Sequence, residues 1–345
     1  MEHRDRPIII AGPCSAESRG QLREATEAIS SLPQVKMIRA GVWKPRTRPG
    51  GFEGMGEEAL QWMQVLTKEF GVEYCCEVAR PEHVALCQRY GIRAVWLGAR
   101  TTGNPFMVEE ICEAMRGSGM EVMVKNPMSP DLKLWVGAVE RVQLAGAQEV
   151  MAVHRGFDVY NNEGLRNAPM WELALRLRRE LPEVPLLCDP SHLGGSRERV
   201  EALSLAAMQL GYDGLMVEVH PHPTLALTDA AQQLTPGELA TLLDNIKEQK
   251  HQATDAEALR LTPLRRQMDD VDHELLRLLG RRMELSREIA GVKRETGMSV
   301  YQSKRWEEVL ADRLRLAETL GLDSDFVREL LEKIHGESVR VQMKG

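Results

Sequence analysis

Four residues spread across the chain carry the side chains of a transition-metal site: Cys14, His192, Glu218 and Asp229. A thiolate, an imidazole and two carboxylates suit a divalent ion of intermediate softness. Each also has a plainer reading, Cys14 as a small buried residue and His192 as a hydrogen-bonded core histidine. What sets the four apart is that each follows a short apolar run. A second set is cationic: Arg39, Lys44, Arg46, Arg100, Lys125 and Arg155. One such residue is ordinarily a solvated surface charge. Six on one face call for anions between them, phosphate and carboxylate.

The elements that must position these residues are visible as eight apolar runs: PIIIAG, KMIRAG, VEYCCEV, RAVWLGA, EVMVKN, QEVMAVH, PLLCDP and DGLMVEV. They start near residues 7, 36, 72, 93, 121, 148, 185 and 213. Continuous rather than alternating apolarity suits strands buried on both faces, as in a parallel sheet. Amphipathic segments such as GQLREATEAISSL separate them. Eight β-α units predict an α/β fold, a (β/α)8 TIM barrel; a doubly wound sheet is the alternative. In such a barrel chemistry collects at the carboxyl ends of the strands. There stand, in order, Cys14; Arg39 through Thr47; Glu77; Gly98-Ala99-Arg100; Lys125; His154-Arg155-Gly156; Asp189-Pro-Ser-His192; and Glu218, whose loop carries Thr228-Asp229. Cys188 precedes Asp189 and points the other way along its strand. With Cys75, Cys76, Cys87 and Cys112 it is expected to be packing.

The chain has 345 residues, room for one large domain and a small one. No run is long and apolar enough to span a bilayer. The start, MEHRDRP, lacks the apolar core of a signal peptide, which points to the cytoplasm. Six cysteines in a reducing compartment are thiols rather than disulfides. Net charge is −7 and no basic block stands out, so nucleic acid is excluded as a partner.

After Asn245 the character changes. The expected organisation is a barrel over 1–250, a polar linker over 251–258 and a small all-α three-helix domain over 259–345. Thr262-Pro263 reads as an N-cap and a first-turn proline. Leu264, Met268, Val271, Leu275, Leu278, Leu285, Ile289 and Val292 keep a 3-4 spacing too long for an ordinary helix, which suggests a helical hairpin or a dimer. Shorter helices are expected near 303–319 and 324–342. Arg282 interrupts the apolar stripe and Lys293 follows on nearly the same face. Ser338 and Gln342 replace core residues on the last helix. Snorkelling at a helix end is one reading; a polar pocket within the bundle is the other.

GPCSAES, KPRT, GAR, HRGF, DPSH and EVHPHP-TLALTD together resemble the 3-deoxy-D-arabino-heptulosonate 7-phosphate (DAHP) synthases, in the class related to the 3-deoxy-octulosonate 8-phosphate (KDO8P) synthases. The resemblance spans about residues 1–250. It implies condensation of phosphoenolpyruvate with erythrose 4-phosphate, with release of phosphate. It assigns Arg100, Lys125 and Arg155 to phosphoenolpyruvate with Arg39 and Lys44 nearby, and Arg46, Thr47 and the Pro45 backbone to the aldose phosphate. Glu77, Gly98, Ala99 and Asp189 complete the substrate pocket, and Lys44 or Lys125 supplies a proton. Cys14, His192, Glu218 and Asp229 hold a divalent metal, with manganese, iron, cobalt and zinc all open. The class often has an N-terminal regulatory domain, for which Pro7 leaves no room. Asn126-Pro127 departs from the Arg-Gly or Pro found after this lysine in many relatives. KDO8P synthase is the rival reading; Lys44-Pro45-Arg46-Thr47, in place of Lys-Ala-Asn-Arg, favours the four-carbon acceptor.

LRRQMDDVDHELLRLLGRRMELSREIAGVK and GESVRVQ resemble the all-helical chorismate mutases, over about 260–342. That implies rearrangement of chorismate to prephenate in a site of Arg265, Arg282, Lys293, Arg305, Ser338 and Gln342, with Arg265 entering from the partner of an intertwined homodimer. Lys293 and Gln342 would donate to the ether oxygen. Gln302 and Trp306 stand where acids are usual. The combined expectation is a bifunctional enzyme of aromatic amino acid biosynthesis. The helical domain acts as a mutase, as a ligand-sensing module for prephenate or chorismate, or as both.

Overall fold

The computed structural model describes residues 7–44, 50–160, 162, 164–249 and 255–344, and the side chains of these apart from 248–249 and 255–260. Pro45, Arg46 and Thr47 lie outside the described residues. The chain divides into two units, 1–250 and 251–345.

The first unit is a closed parallel barrel of eight strands. They are β1 (Ile8–Gly12), β2 (Val35–Arg39), β3 (Tyr74–Val78), β4 (Ala94–Leu97), β5 (Glu121–Lys125), β6 (Glu149–His154), β7 (Leu186–Cys188) and β8 (Gly214–Glu218). Each pairs with the next, and β8 pairs with β1 in the register Ile8–Gly214 to Gly12–Glu218. Helices cover the outside, as the amphipathic segments dictate. In Arg19–Ser30, Ser18 caps the amino end by accepting from the Gln21 N–H, and Leu22, Ala25, Thr26 and Ile29 form the buried stripe.

Strand residues alternate between two layers. Ile10, Met37, Cys75, Trp96, Met123, Met151, Val153, Leu187 and Met216 fill the barrel interior. Ile9, Ala11, Ile38, Cys76, Val95, Val124, Ala152, Cys188 and Val217 pack outward against the helices. The two-residue period then decides the chemistry. One step beyond the inner layer, the same parity gives Arg39, Glu77, Lys125, Arg155, Asp189 and Glu218. Cys188 faces outward beside the inward Asp189. All six cysteines are buried free thiols.

The same parity turns His154 outward, away from its sequence neighbour Arg155. It is fully buried among Trp135, Phe157, Trp171 and Tyr212. The Tyr212 hydroxyl lies 2.9 Å from Nδ1.

In the second unit the long helix runs Asp255–Thr296, followed by Ser303–Thr319 and Ser324–Lys344. It begins earlier than the sequence suggested. Residues 255–258, expected in the linker, are helical, and Pro263 lies inside the helix rather than in its first turn. Asp255-Ala-Glu-Ala-Leu-Arg-Leu is rich in good helix formers, and these outweigh the single bond to the residue-259 carbonyl that Pro263 cannot make. The remaining linker positions, 251–254, lie outside the described residues. Arg282 does not interrupt the face that packs within the unit. Arg282, Ser286, Ala290 and Lys293 form the face toward the last helix, with Ser286 and Ala290 buried. The stripe from Leu264 to Val292 is exposed instead, Met268 at 63% and Val292 at 57%. No described helix is long and apolar enough to cross a membrane.

Burial pushes the His154 imidazole down to about 4. An unfolded histidine titrates near 6.5, so between these values the unfolded state takes up a proton that the native state refuses. Stability from this group is complete above pH 6.5 and falls as pH drops towards 4, by up to about 3 kcal/mol. Denaturant unfolding of the barrel, followed by tryptophan fluorescence at several pH values, should show this loss. His154→Phe should lack it; parallel pH profiles for the two proteins would refute the assignment.

Candidate active site

Three of the four proposed metal donors converge at the carboxyl end of the barrel. One donor atom each of Cys14, Glu218 and Asp229 lies within 4.8 Å of the others. Cys14 follows the end of β1 and its Sγ is 3.1 Å from Asp229 Oδ2. Its backbone N–H donates to Gln233 Oε1 at 2.9 Å, which fixes the turn. Glu218 ends β8 fully buried; Asp229 sits in the loop beyond, in a left-handed conformation (φ 47°) that aspartate tolerates. His192 falls outside the tight trio but borders it, with Nε2 3.9 Å from Glu218 Oε1. Its Nδ1 is held by Asp189 at 2.9 Å, which leaves Nε2 as the outward nitrogen.

The electrostatics fit a cation. Burial, then the neighbouring Glu218 and Asp229, push the Cys14 thiol well above its ordinary value, against the pull of Lys44. Burial would raise both carboxylates, but opposing charges overcome it: His192 while it is protonated, and Arg39, hold Glu218 below its usual range, and Arg166, with protonated His192, does the same for Asp229. Burial also lowers the His192 pKa, favouring the neutral form a ligand needs. Two ionised carboxylates, a thiol and a neutral imidazole are the donor set of a divalent metal. The Lys44 ammonium already places positive charge here, 2.9 Å from Cys14 Sγ and 3.9 Å from Asp229 Oδ2.

Beside the donors opens a cavity of about 380 Å³. Lys44, Arg100, Lys125, Arg155 and Arg166 supply its positive charge, and Glu77, Gly98, Ala99, His192 and Asp229 line it too. Lys125 Nζ pairs with Asp189 Oδ2 at 2.7 Å and lies 5.7 Å from the Trp96 ring centroid. Burial, and the nearby Arg166 and Arg100, push the Arg155 guanidinium below its ordinary value, so an anion there is favoured. Glu77 accepts from Trp96 Nε1 at 3.1 Å, and its carboxylate occupies the space a side chain at position 98 would take. Arg39 does not line the cavity. It lies buried behind, donating to Glu218 Oε1 at 3.0 Å with its guanidinium 4.9 Å from the Trp96 ring centroid.

Sequence reasoning missed several residues. Arg166, Asn167, Gln232 and Gln233 sit in polar loops, where neither periodicity nor a charge pattern marks them. Asn126, noticed only as a departure, is a buried clasp. Its Oδ1 accepts from the Arg155 N–H at 2.7 Å, and its Nδ2 donates to the Gly156 carbonyl at 2.8 Å.

The helical unit gathers a second cationic site. Arg282 donates to Ser338 Oγ and, at 3.4 Å, to the Ile334 carbonyl. Lys293 Nζ donates to Gln342 Oε1 at 3.2 Å and to the Val300 carbonyl at 2.6 Å. Trp306 stacks on His335 with ring centroids 4.0 Å apart. Arg265 and Arg305 are exposed and are not brought to this set among the described residues; Arg305 pairs with Glu308 on its own helix.

Two family models match, the DAHP synthetase I family over residues 2–255 and chorismate mutase type II over residues 264–343. A phospho-2-dehydro-3-deoxyheptonate aldolase of Thermotoga maritima is 32% identical over 227 residues, covering 66% of this chain and 64% of its own length. The chain thus spans somewhat less than two thirds of that relative. A crystal structure of the DAHP synthase from Thermotoga maritima superposes with a TM-score of 0.63 at 28% identity, covering 72% of each chain. The T-protein of Enterobacter agglomerans is 41% identical over 78 residues, 23% of this chain and 21% of that protein. The closed barrel with its charged crown and the helical unit with its Arg282–Lys293 face thus find their matches separately: the chain belongs to the DAHP synthetase I family and carries a chorismate mutase type II domain at its carboxyl end.

Proposed function

We propose that the barrel condenses phosphoenolpyruvate with erythrose 4-phosphate to DAHP and phosphate, and that the helical unit rearranges chorismate to prephenate. The observation that carries the first assignment is the single cavity in which five cations adjoin a thiol–carboxylate–imidazole donor set. Arg100, Arg155 and Lys125 bind the phosphate and carboxylate of phosphoenolpyruvate, Lys125 being held in place by Asp189. Arg46, Thr47 and the Pro45 backbone are assigned to the aldose phosphate by family likeness. Cys14, His192, Glu218 and Asp229 would hold the divalent metal, which when bound polarises the aldehyde as a Lewis acid. The methylene carbon of phosphoenolpyruvate attacks the aldehyde carbon, which leaves its phosphate-bearing carbon electron-poor. The alkoxide formed takes a proton, for which Lys44, beside Cys14 and Asp229, is the positioned donor. Glu77, steadied by Trp96, orders the water that adds to the phosphate-bearing carbon, and phosphate then leaves from that carbon to give the ketone. The rival, an octulosonate synthase, is separated by assaying erythrose 4-phosphate against arabinose 5-phosphate as acceptor.

In the helical unit Arg282 and Ser338 face a carboxylate, and Lys293 and Gln342 donate to the ether oxygen as charge builds there. The exposed stripe from Leu264 to Val292 is assigned to a second copy of the chain, which would bring Arg265 to the site. Light scattering should give twice the chain mass, and a stable monomer would exclude this arrangement. Fusion of the two units in one chain supports feedback, with prephenate or chorismate in the helical pocket restraining the barrel. The buried free thiols suit a reducing compartment, the cytoplasm.

Cys14→Ala and His192→Ala should each lower condensation by about 100-fold or more, beyond what an outer residue of a metal site costs. Mutase turnover should persist, and a chelator should silence condensation alone. Loss of both activities in a folded variant would contradict two separate sites. Arg282→Ala should cost the mutase about 3 kcal/mol in kcat/KM, roughly 100-fold, because it removes a charged hydrogen-bond donor. Alanine preserves the helix. The same variant should abolish inhibition of condensation by prephenate; equal inhibition in both proteins would remove the helical pocket as sensor.

A further inference from the structure

Arg166 and Asn167 follow β6 and belong to neither the donor set nor the residues expected to hold substrate. Arg166 donates from NH1 to Asp229 Oδ1 at 3.0 Å and also to Gln232 Oε1. Gln232 is buried and turns its Nε2 to Glu218 Oε2 at 2.6 Å. Asn167, also buried, donates from Nδ2 to the His192 carbonyl at 2.6 Å and accepts from Arg155 NH1 at 2.8 Å. The backbone N–H groups of both residues point at the Leu193 carbonyl, at 3.1 and 3.3 Å.

The surrounding chain is shaped for this dipeptide. Gly195 (φ 67°) and Gly156 (φ 80°) adopt left-handed conformations. A Cβ at Gly195 would fall 2.6 Å from Arg166 Cβ, and one at Gly156 would fall 2.8 Å from Asn167 Cβ. Two glycines on different loops thus leave room for the two side chains.

The consequence lies in which oxygens remain. Gln232 takes Glu218 Oε2 and Arg166 takes Asp229 Oδ1. The other oxygens face the remaining two donors: Asp229 Oδ2 is 3.1 Å from Cys14 Sγ, and Glu218 Oε1, which accepts from Arg39 at 3.0 Å and keeps a second lone pair, is 3.9 Å from His192 Nε2. The bracket turns one oxygen of each carboxylate toward a common point. It also ties the His192 turn and Arg155 to the same dipeptide.

We propose that Arg166 and Asn167, acting with Gln232, are positioning residues for the metal site: they select the carboxylate oxygen that Glu218 and Asp229 each offer to a divalent cation and seat the His192 turn beside them. The proposal rests on the metal reading given above. It differs from a merely structural role because it fixes affinity for the ion rather than stability of the barrel.

The test is titration of the full-length protein with Co²⁺, followed by the sulfur-to-cobalt charge-transfer absorption and by competition with a chelator of known affinity. The unaltered protein should bind one equivalent with the thiolate band, and Cys14→Ser should lose that band. Arg166→Ala and Gln232→Leu should bind Co²⁺ about 10- to 100-fold more weakly. The Arg166 side chain is 42% exposed, so its truncation leaves the fold intact. Arg166→Lys keeps the charge without the planar guanidinium whose Nη1 reaches both acceptors, and its affinity should fall between those of Arg166→Ala and the unaltered protein. Thermal unfolding of Arg166→Ala should match the unaltered protein. Unchanged Co²⁺ affinity in Arg166→Ala overturns the proposal, as does a weakening that tracks lost thermal stability. Failure of the unaltered protein to bind Co²⁺ through the thiolate would instead bring down the metal reading, and this proposal with it.

Discussion

Everything at the carboxyl end of the barrel depends on two buried ion pairs, Arg39 with Glu218 and Lys125 with Asp189. Each of the four side chains is at most 6% exposed. Taking such charges out of water costs several kcal/mol per ion, and the attraction repays this only when geometry is good and the remaining polar atoms are satisfied. Here the pairs share partners, although Arg39 Nε and Nη1 are buried without a hydrogen-bond partner among the described residues. Arg39 also approaches Asp189 at 4.0 Å, Asp189 holds His192, and the Trp96 ring lies beside both cations. The apolar inner layer below supplies the low dielectric that makes these contacts strong, and the charges seal the barrel above it. The site is therefore built outward from a neutralised charged floor.

The helical unit meets the same need by a different route. It has no closed core in which to bury a charge, so Arg282 and Lys293 are only partly covered and are held by uncharged partners, Ser338, Gln342 and backbone carbonyls. Such partners fix the direction of the cations without neutralising them. That suits a reaction in which the substrate brings the anions and positioning supplies the catalysis. Trp306, on Ser303–Thr319, stacks on His335 of the last helix and adds aromatic surface to the unit.

Much of this was legible in the sequence because it is periodic. Runs buried on both faces gave eight strands, Arg39, Lys125, Asp189 and Glu218 stand at their carboxyl ends, and the two-residue alternation separates Cys188 from Asp189. Periodicity failed where competing local preferences were nearly balanced. Thr262-Pro263 looks like a helix start, yet the strong formers from Asp255 carry the helix through the proline. Arg282 looked like a break in an apolar stripe, but the stripe and the packed face are neighbouring sectors of one helix, and a 3-4 spacing cannot separate them within one chain. The loops were the least legible. Nothing in Asn126, Arg166, Asn167 or Gln232 announces a partner, because each has at least one partner on another βα loop, brought near by the closure of the barrel.

The charge balance of the cavity fits a proposed metal site and substrate site in one space. Among the charged residues that line it, five cations stand against three carboxylates, Glu77, Asp158 and Asp229. A divalent ion added to that surface would deepen the excess unless something anionic accompanied it. Ionisation of Cys14 would offset one charge; burial and its acidic neighbours hold the proton on the thiol, and a cation close enough to outweigh them would release it. A phosphorylated carboxylic acid offsets the rest. On the proposed reading a bound cation would stabilise both the thiolate and an anionic substrate, and each of these would favour the cation, a coupling that by linkage runs equally in both directions.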